Sequence, residues 1–214
     1  MSPEYFDVLD CSARKTGEVI DRHEAHRTGA WHGAFHCLII GERRGSGYAL
    51  FQKRSMEKKI APGKFDVSVG GHYSAGEDAT TAGPREIKEE LGIDSRFTDL
   101  IPLGRRIFVY CFTPAVRECE FQDVFFLPRN TRPEELTLQA EELEAVIEMR
   151  VDQGISLFSR SVPHTKVPFY GRDGRRDTLR IFPDDFVPSL DNYYLKLLLL
   201  ARRFFGGDRE LLLI

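Results

Sequence analysis

The sequence has few cysteines, one tryptophan and no long apolar run. Its four cysteines show no CxxC spacing, which argues against a disulfide framework and against a zinc ribbon. The longest apolar run near the C-terminus, residues 197–201, is far too short to cross a bilayer. No basic segment followed by an apolar stretch opens the chain, so no signal peptide is expected. These absences predict a cytoplasmic protein with reduced thiols and no membrane partner.

An excess of positive charge is also missing. The 30 Lys and Arg are outnumbered by 33 Asp and Glu, for a net charge of −3, so the surface as a whole does not attract nucleic acid. Sixteen Phe and seven Tyr provide large core side chains and exclude general disorder. A chain of 214 residues is long enough for one domain with an added subregion. Composition leaves a homodimer open.

Strand and helix patterns are interleaved along the chain. The predicted strands cover residues 4–9, 17–21, 34–40, 48–53, 65–69, 106–112, 120–127 and 145–151. The predicted helices cover residues 80–91, 152–159 and 190–205. Several strands follow one another too closely for helical crossovers, so a mixed, partly antiparallel sheet flanked by helices is expected. The fold class is therefore α/β, of the α+β type.

Three carboxylates stand out in the predicted helix over residues 80–91. Glu86, Glu89 and Glu90 are spaced i, i+3 and i+4, which puts them on one helix face. Neighbouring carboxylates repel one another, and a divalent cation such as Mg²⁺, which prefers oxygen ligands, would relieve that repulsion. The ordinary alternative is a solvated acidic face. The spacing suggests a metal platform for a phosphate substrate.

The carboxylates belong to a longer pattern. Gly71 is followed after five residues by Glu77, and after seven more by Arg85-Glu86-Ile87-Lys88-Glu89-Glu90, one further residue and Gly92-Ile93. This pattern resembles the box that marks the Nudix hydrolase family. The resemblance implies an α/β/α sandwich in which 1–214 is one domain, with 1–30 an N-terminal extension of strands and loops. Residues 160–214 would form a C-terminal excursion and helix.

The resemblance also implies roles for the residues of the box. Glu86, Glu89 and Glu90 match the glutamates that hold Mg²⁺ or Mn²⁺, and Arg85 matches the arginine that orients them. Gly71, Glu77 and Gly92 match structural positions of the loop and helix. The implied reaction is hydrolysis of a nucleoside diphosphate linked to another moiety, or of a related organic diphosphate, by metal-bound water. One departure is Pro84, which should kink or shorten the first turn of the helix.

Outside the box, the chain is similar to the isopentenyl-diphosphate isomerase branch of the same superfamily. The similarity lies in Phe6-Asp7-Val8-Leu9, Pro62-Gly63 and the run from Asp66 to His72. That branch holds a metal with three histidines and two glutamates. The matching residues here, which would form a second divalent-metal site, are His26, His32, His72, Glu118 and Glu120. The alternative interpretation is that these residues are ordinary polar or half-buried side chains that bind no metal.

Two departures favour hydrolysis over isomerisation. Gly70 stands where the isomerases carry the cysteine that moves a proton at carbon, and glycine has no acid or base. The isomerases also use a tryptophan late in the chain, whereas Trp31 is the only tryptophan here. An isomerase-like enzyme that acts on prenyl diphosphates is kept as the alternative function.

Basic residues near residues 62–63 would bind the diphosphate. Arg54 and Lys58 match isomerase positions of that role, and their charges suit a diphosphate. Lys59 and Lys64 are interpreted as solvated surface lysines.

The general base and the residues that select the substrate are less defined by the sequence. A box glutamate, Glu89 or Glu90, is one candidate base, and Glu141 or Glu142 is the other. The excursion over residues 160–188, with a hairpin around 173–174, has side chains that could close over the site. These side chains are Phe169, Tyr170, Arg172, Arg175 and Arg176.

Overall fold

The computed structural model describes residues 4–210 and 212–214 and consists of eleven strands and four α-helices within that part. The strands are β1 Tyr5–Leu9, β2 Lys15–Asp21, β3 His32–Arg43, β4 Ser46–Arg54, β5 Phe65–Asp66, β6 Val69–His72, β7 Ile101–Thr113, β8 Val116–Pro128, β9 Leu143–Arg150, β10 Thr165–Gly171 and β11 Arg176–Ile181. The helices are α1 Arg22–Thr28, α2 Ala79–Leu91, α3 Val151–Phe158 and α4 Tyr193–Phe205.

A nine-stranded mixed sheet forms the middle layer. Seven strands follow the order β11-β10-β9-β4-β3-β8-β7, while β5 pairs with β4 and β6 pairs with β3. The pairing of β3 with β8 is parallel, and the other pairings in this sheet are antiparallel. The predicted mixed, partly antiparallel sheet is confirmed. Strands β1 and β2 form a separate hairpin.

The sheet is split between β3 and β4. Residues 40–43 of β3 pair with residues 46–49 of β4, and beyond this paired stretch the two strands diverge. Strand β6 pairs with the freed edge of β3, and β5 pairs with the freed edge of β4. The single strand predicted over residues 65–69 is therefore wrong, because its two ends have different partner strands.

Apolar residues fill both faces of the sheet. Ile87 and Leu91 of α2 belong to a core with Phe35 on one face. On the other face, α3 and α4 bury a larger core that includes Leu157 and Leu197. Burial of apolar area on both faces stabilises the three layers, so the expected α/β/α sandwich is present.

Helix α2 continues through Pro84 without interruption. The expectation that Pro84 shortens its first turn is therefore wrong. Asp78 caps the start by accepting a hydrogen bond from the Thr80 amide, and Gly92 ends the helix with a φ of +71°. Gly83 lies against Phe35, and an added Cβ would stand 2.8 Å from that ring, which explains the unusual glycine. The close approach holds the acidic helix against the sheet.

Helix α1 was not predicted. Asp21 caps it by accepting hydrogen bonds from the amides of His23 and Glu24, and Gly29 ends it at a φ of +74°. A short polar helix of this kind carries no apolar periodicity that a sequence pattern would detect. Among the described residues, no helix is both long and apolar enough to span a bilayer.

Candidate active site

A cavity of about 700 Å³ opens where the sheet splits. Many of the residues expected at the site line it together. They are Arg54, Lys58, Gly71, His72, Arg85, Glu86, Glu89, Glu90, Glu118 and Glu120. Residues from β4, β6, α2 and β8, which are far apart in sequence, thus share one cavity.

Arg85 organises the loop and the acidic helix. Its Nε and Nη2 donate to the two oxygens of Glu77 at 3.0 and 2.7 Å. Its Nη1 lies 2.9 Å from Glu86 Oε1 and 2.9 Å from Glu89 Oε2. The carboxylates raise the pKa of Arg85 above its usual value, with the Glu77 hydrogen bond as the largest cause. The guanidinium therefore holds three box glutamates around one charge.

Gly71 is required by the position of Glu86. A Cβ built on Gly71 would overlap the Glu86 carboxylate. The backbone of β6 therefore passes directly against the acidic face of α2, which only glycine permits at this point.

Two box carboxylates lie in an environment that disfavours their charge. Burial raises the pKa of Glu86 to about 7, against the opposing effect of Arg85. Burial, followed by the charges of Glu86 and Glu142, raises the pKa of Glu90 well above its usual value. Glu90 Oε2 has no hydrogen-bond partner in the described part of the chain, and the residue is 2% exposed. Such a carboxylate fits a cation ligand better than a structural group.

A second cluster is formed by imidazoles on three elements. Ligand atoms of His26 on α1, His32 on β3, His72 on β6 and Glu118 on β8 all lie within 4.8 Å of one another. Within residues 4–210 and 212–214, His26 Nε2, His32 Nε2 and both Glu118 oxygens lack hydrogen-bond partners. His32 Nδ1 donates to the Ala30 carbonyl at 2.8 Å, which leaves Nε2 as the nitrogen available to a metal.

Two imidazoles of this cluster have the protonation state that a metal needs. Burial lowers the pKa of His26 to about 3 and that of His72 to about 4, so both are neutral at pH 7. Burial and the Glu120 charge raise the pKa of Glu118 to about 10, so without a cation this carboxyl group is protonated at pH 7, and a bound metal would displace the proton. Neutral imidazoles and a carboxylate are the donors that Zn²⁺ or Mn²⁺ would accept.

Glu120 lies beside this cluster but is engaged in hydrogen bonds. Its Oε1 is 3.0 Å from His72 Nε2, and its Oε2 accepts from Gln122 Nε2 at 2.5 Å. Gln122 in turn accepts from Arg106 Nη1 at 2.8 Å, and Arg106 forms two hydrogen bonds with Asp191. The second cluster is thereby connected to the segment before α4.

The expected diphosphate-binding residues face the cavity. Arg54 donates to the Ile60 carbonyl through Nε and Nη2, and Lys58 pairs with Glu142. The two lysines interpreted as surface residues are not in the cavity wall. Lys59 Nζ lies 3.5 Å from His23 Nε2, and Lys64 Nζ donates to the Asp184 carbonyl.

The two downstream candidates for the general base differ in position. Glu142 lines the cavity, whereas Glu141 is exposed outside the cavity lining. Burial would raise the pKa of Glu142, but the Lys58 charge holds it below its usual value. Glu142 is therefore ionised at neutral pH.

The excursion does not cover the cavity with the expected side chains. Strand β10 pairs with β9 through Phe169, and the β10–β11 hairpin extends the sheet on that side. None of the five side chains expected to close over the site lines the cavity in the described structure. Of residues 160–189, all within the described part of the chain, only Val187, Pro188 and Ser189 line it.

Several polar residues of the cavity wall were not singled out from the sequence. They are His36, Asp66, Arg106, Gln122 and Tyr194. One available signal was the alternation Glu118, Glu120, Gln122, which places three polar side chains on one face of a strand.

A glycine loop, an acidic helix and a split mixed sheet between helical layers define a protein of the α/β/α sandwich class with an acidic helix face in its cavity. A NUDIX domain model matches residues 30–167. The chain is 32% identical over 198 residues to an uncharacterized Nudix hydrolase of Clostridium acetobutylicum. The aligned residues cover 91% of this chain and 95% of that relative. The chain belongs to the Nudix family and is a Nudix hydrolase.

Two further matches have less coverage. An isopentenyl-diphosphate Delta-isomerase of Salmonella heidelberg is 34% identical over 104 residues, which cover 48% of this chain and 54% of that relative. A crystal structure from Deinococcus radiodurans has a TM-score of 0.54 at 21% identity and covers 74% of this chain and 88% of that one. The structural match supports the fold alone. Nudix hydrolases generally act with a divalent metal.

Proposed function

We propose that this Nudix hydrolase cleaves a diphosphate linkage in a nucleoside diphosphate-X or related organic diphosphate. One observation carries the proposal: the acidic face of α2 and the basic pair Arg54 and Lys58 line the same cavity. A diphosphate that binds a cation satisfies both sets of charges. The acidic face alone, or the basic pair alone, would not require a diphosphate substrate.

The glutamates Glu86, Glu89 and Glu90 would hold Mg²⁺ or Mn²⁺. Such a cation supplies electrostatic stabilisation of the negative charge on phosphoryl oxygens. The fit rests on the buried, unpartnered Oε2 of Glu90 and on the raised pKa of Glu86, since both groups gain from a nearby cation.

Arg54 and Lys58 bind the diphosphate, and Glu142 activates the attacking water. Arg54 grips phosphate oxygens with its planar guanidinium, and Lys58 neutralises the diphosphate as a point charge. When Lys58 turns to the diphosphate, Glu142 loses its partner and becomes more basic. Glu142 then accepts a proton from the water that attacks phosphorus, while the bridging oxygen leaves with the released phosphate.

The imidazole cluster is proposed as a second divalent-metal site held by His26, His32, His72 and Glu118. Glu120 orients His72 and adds an oxygen to the set. His72 directly follows Gly71, so a metal bound there would also brace the strand that passes the catalytic helix.

Isomerisation of prenyl diphosphates is the second candidate, favoured by the retained imidazole cluster. Gly70 argues against it, because no acid or base occupies the position from which the isomerases move a proton. Incorporation of deuterium into isopentenyl diphosphate in deuterated water would reveal this activity directly.

The test of hydrolysis is a panel of organic diphosphates incubated with Mg²⁺, with released phosphate and nucleotide as the readout. The Glu89→Gln and Glu90→Gln double variant should lose turnover by a factor of at least about a hundred, since it loses charge that stabilises the transition state. Glu141→Gln is the matched control, because it removes an exposed carboxylate outside the cavity lining. Equal turnover of the double variant and the wild type would refute the proposal.

A further inference from the structure

A chain of hydrogen bonds runs from the segment before α4 to the imidazole cluster. Arg106 on β7 donates to Asp191 through Nε at 2.9 Å and through Nη2 at 2.8 Å. Its Nη1 donates to Gln122 Oε1 at 2.8 Å, and Gln122 Nε2 donates to Glu120 Oε2 at 2.5 Å. Arg106, Gln122 and Glu120 all line the cavity. We name Asp191, Arg106, Gln122 and Glu120 the polar chain.

Arg106 sets the direction of the polar chain. A guanidinium has only donors, so it must meet the oxygen of the Gln122 amide and not its nitrogen. The amide nitrogen is then turned toward Glu120 on the same strand. Arg106 is itself held in place, since its guanidinium carbon lies 3.9 Å from the centre of the Tyr193 ring and its side chain is 6% exposed. The orientation of the Gln122 amide is therefore fixed by a residue outside the imidazole cluster.

Gln122 gives the two oxygens of Glu120 different surroundings. Oε2 accepts from the amide, whereas Oε1 lies 3.0 Å from His72 Nε2 and 3.7 Å from His32 Nε2. One oxygen is thus turned toward the imidazoles and the other is occupied. A carboxylate held in this way offers a metal a single oxygen in a defined place.

Loss of the amide donor would release this orientation. Glu120 is 6% exposed, and a buried carboxylate oxygen without a partner is costly, so the side chain would rotate toward another donor. Rotation moves the oxygen that faces His72 and His32. Loss of a hydrogen-bond partner behind a metal ligand typically weakens metal affinity by about 10- to 100-fold.

A purely structural role of Gln122 is the alternative. Arg106 and Asp191 also tie β7 to the segment before α4, and the amide oxygen of Gln122 satisfies a buried guanidinium. The two roles differ in one respect. A structural role affects the whole protein, whereas a positioning role affects metal binding through Glu120 alone.

We infer that Gln122, oriented by Arg106, is a positioning residue for the second divalent-metal site. It holds Glu120 so that one carboxylate oxygen faces the imidazoles, and neither Gln122 nor Arg106 touches the metal. The inference rests on the proposed second metal site and names residues outside the ligand set on which its affinity depends.

Zn²⁺ binding tests this role without any measurement of turnover. Protein freed of metal with a chelator is titrated calorimetrically with Zn²⁺ in the presence of Mg²⁺, which occupies the acidic face of α2. The binding component that His26→Ala loses belongs to the imidazole cluster. Gln122→Met has a similar length but no amide, and it should weaken this component by about 10- to 100-fold.

Ser189→Ala is the matched control. Ser189 Oγ donates to Asp191 at 2.7 Å and accepts from Arg106 Nη2 at 3.4 Å, so this variant removes hydrogen bonds from the same chain but leaves Gln122 in place. Its Zn²⁺ affinity should equal that of the wild type. Gln122→Asn keeps an amide that is too short to reach both Arg106 and Glu120, and it should also weaken Zn²⁺ binding, even where Gln122→Met folds poorly.

Glu120→Ala separates positioning from a structural role. If Gln122 acts through Glu120, adding Gln122→Met to Glu120→Ala should weaken Zn²⁺ binding no further. An equal loss of affinity in the presence and absence of Glu120 would overturn the inference, because Gln122 would then affect the cluster by another route.

The remaining outcomes distinguish the inference from the functions on which it depends. Wild-type Zn²⁺ affinity in both Gln122→Met and Gln122→Asn overturns the inference and leaves the second site in place. Equal Zn²⁺ binding by wild type and His26→Ala removes the second site, and the inference fails with it. Neither result bears on hydrolysis, which the diphosphate panel tests by itself.

Discussion

Replacing Gly71 by alanine tests the geometry on which the metal platform depends. The added Cβ would overlap the Glu86 carboxylate, which is the end of a flexible side chain and can rotate away. The backbone can therefore stay in place while Glu86 leaves its position between Gly71 and Arg85. The expected defect is local: a displaced metal ligand in a folded protein.

The magnitude follows from what Glu86 contributes. Its displacement breaks one ion pair with Arg85, so the free energy of unfolding should change by about 1 kcal/mol or less. Transition-state stabilisation should suffer far more, because the removal of one preorganised electrostatic group typically lowers turnover by about 10²- to 10³-fold, or about 2.7–4 kcal/mol.

Three measurements check this prediction: calorimetric titration with Mn²⁺, thermal unfolding and kcat/KM with a diphosphate that the wild type hydrolyses. Gly70→Ala is the matched control for metal binding, since its Cβ would meet its nearest neighbour at an ordinary 3.5 Å. Only Gly71→Ala should weaken the binding component that belongs to the glutamates. Wild-type Mn²⁺ affinity and turnover in Gly71→Ala would refute the assignment of Glu86 as a metal ligand.

Two other predictions concern metal content and stability. His26→Ala should reduce the Zn²⁺ or Mn²⁺ that copurifies with untagged protein, as measured by elemental analysis. His23→Ala, on the same helix, should leave the metal content unchanged. Equal metal content in both variants would contradict the second site. Asp191→Asn should lower the free energy of unfolding at pH 7 by about 1–2 kcal/mol in urea titrations, because Arg106 holds the pKa of Asp191 at about 2 in spite of partial burial. This stabilisation is present above the ordinary value of 3.8 and is lost as pH falls through about 2, so the difference between variant and wild type should shrink in acid. Asp177→Asn, at an exposed ion pair with Arg175, should leave stability nearly unchanged.

The sequence by itself determined the family, the acidic helix and the positions of most strands along the chain. The box residues lie within 23 positions, and their helical spacing puts Glu86, Glu89 and Glu90 on one face whatever surrounds them. Local capping by Asp78 and Gly92 likewise depends on nearby residues. Such features are legible in a sequence because their causes are local.

Only the tertiary structure decided which distant residues meet. The split between β3 and β4 divides residues 65–69 between two strands and opens the cavity, and it results from long-range pairing. Of the adjacent residues Glu141 and Glu142, only Glu142 lines this cavity, and Gln52 comes close to Gly70. Pro84 is tolerated inside α2 in a helix that is capped at both ends and packed on the sheet. Contacts between residues far apart in the chain depend on how layers pack, and no local pattern encodes that.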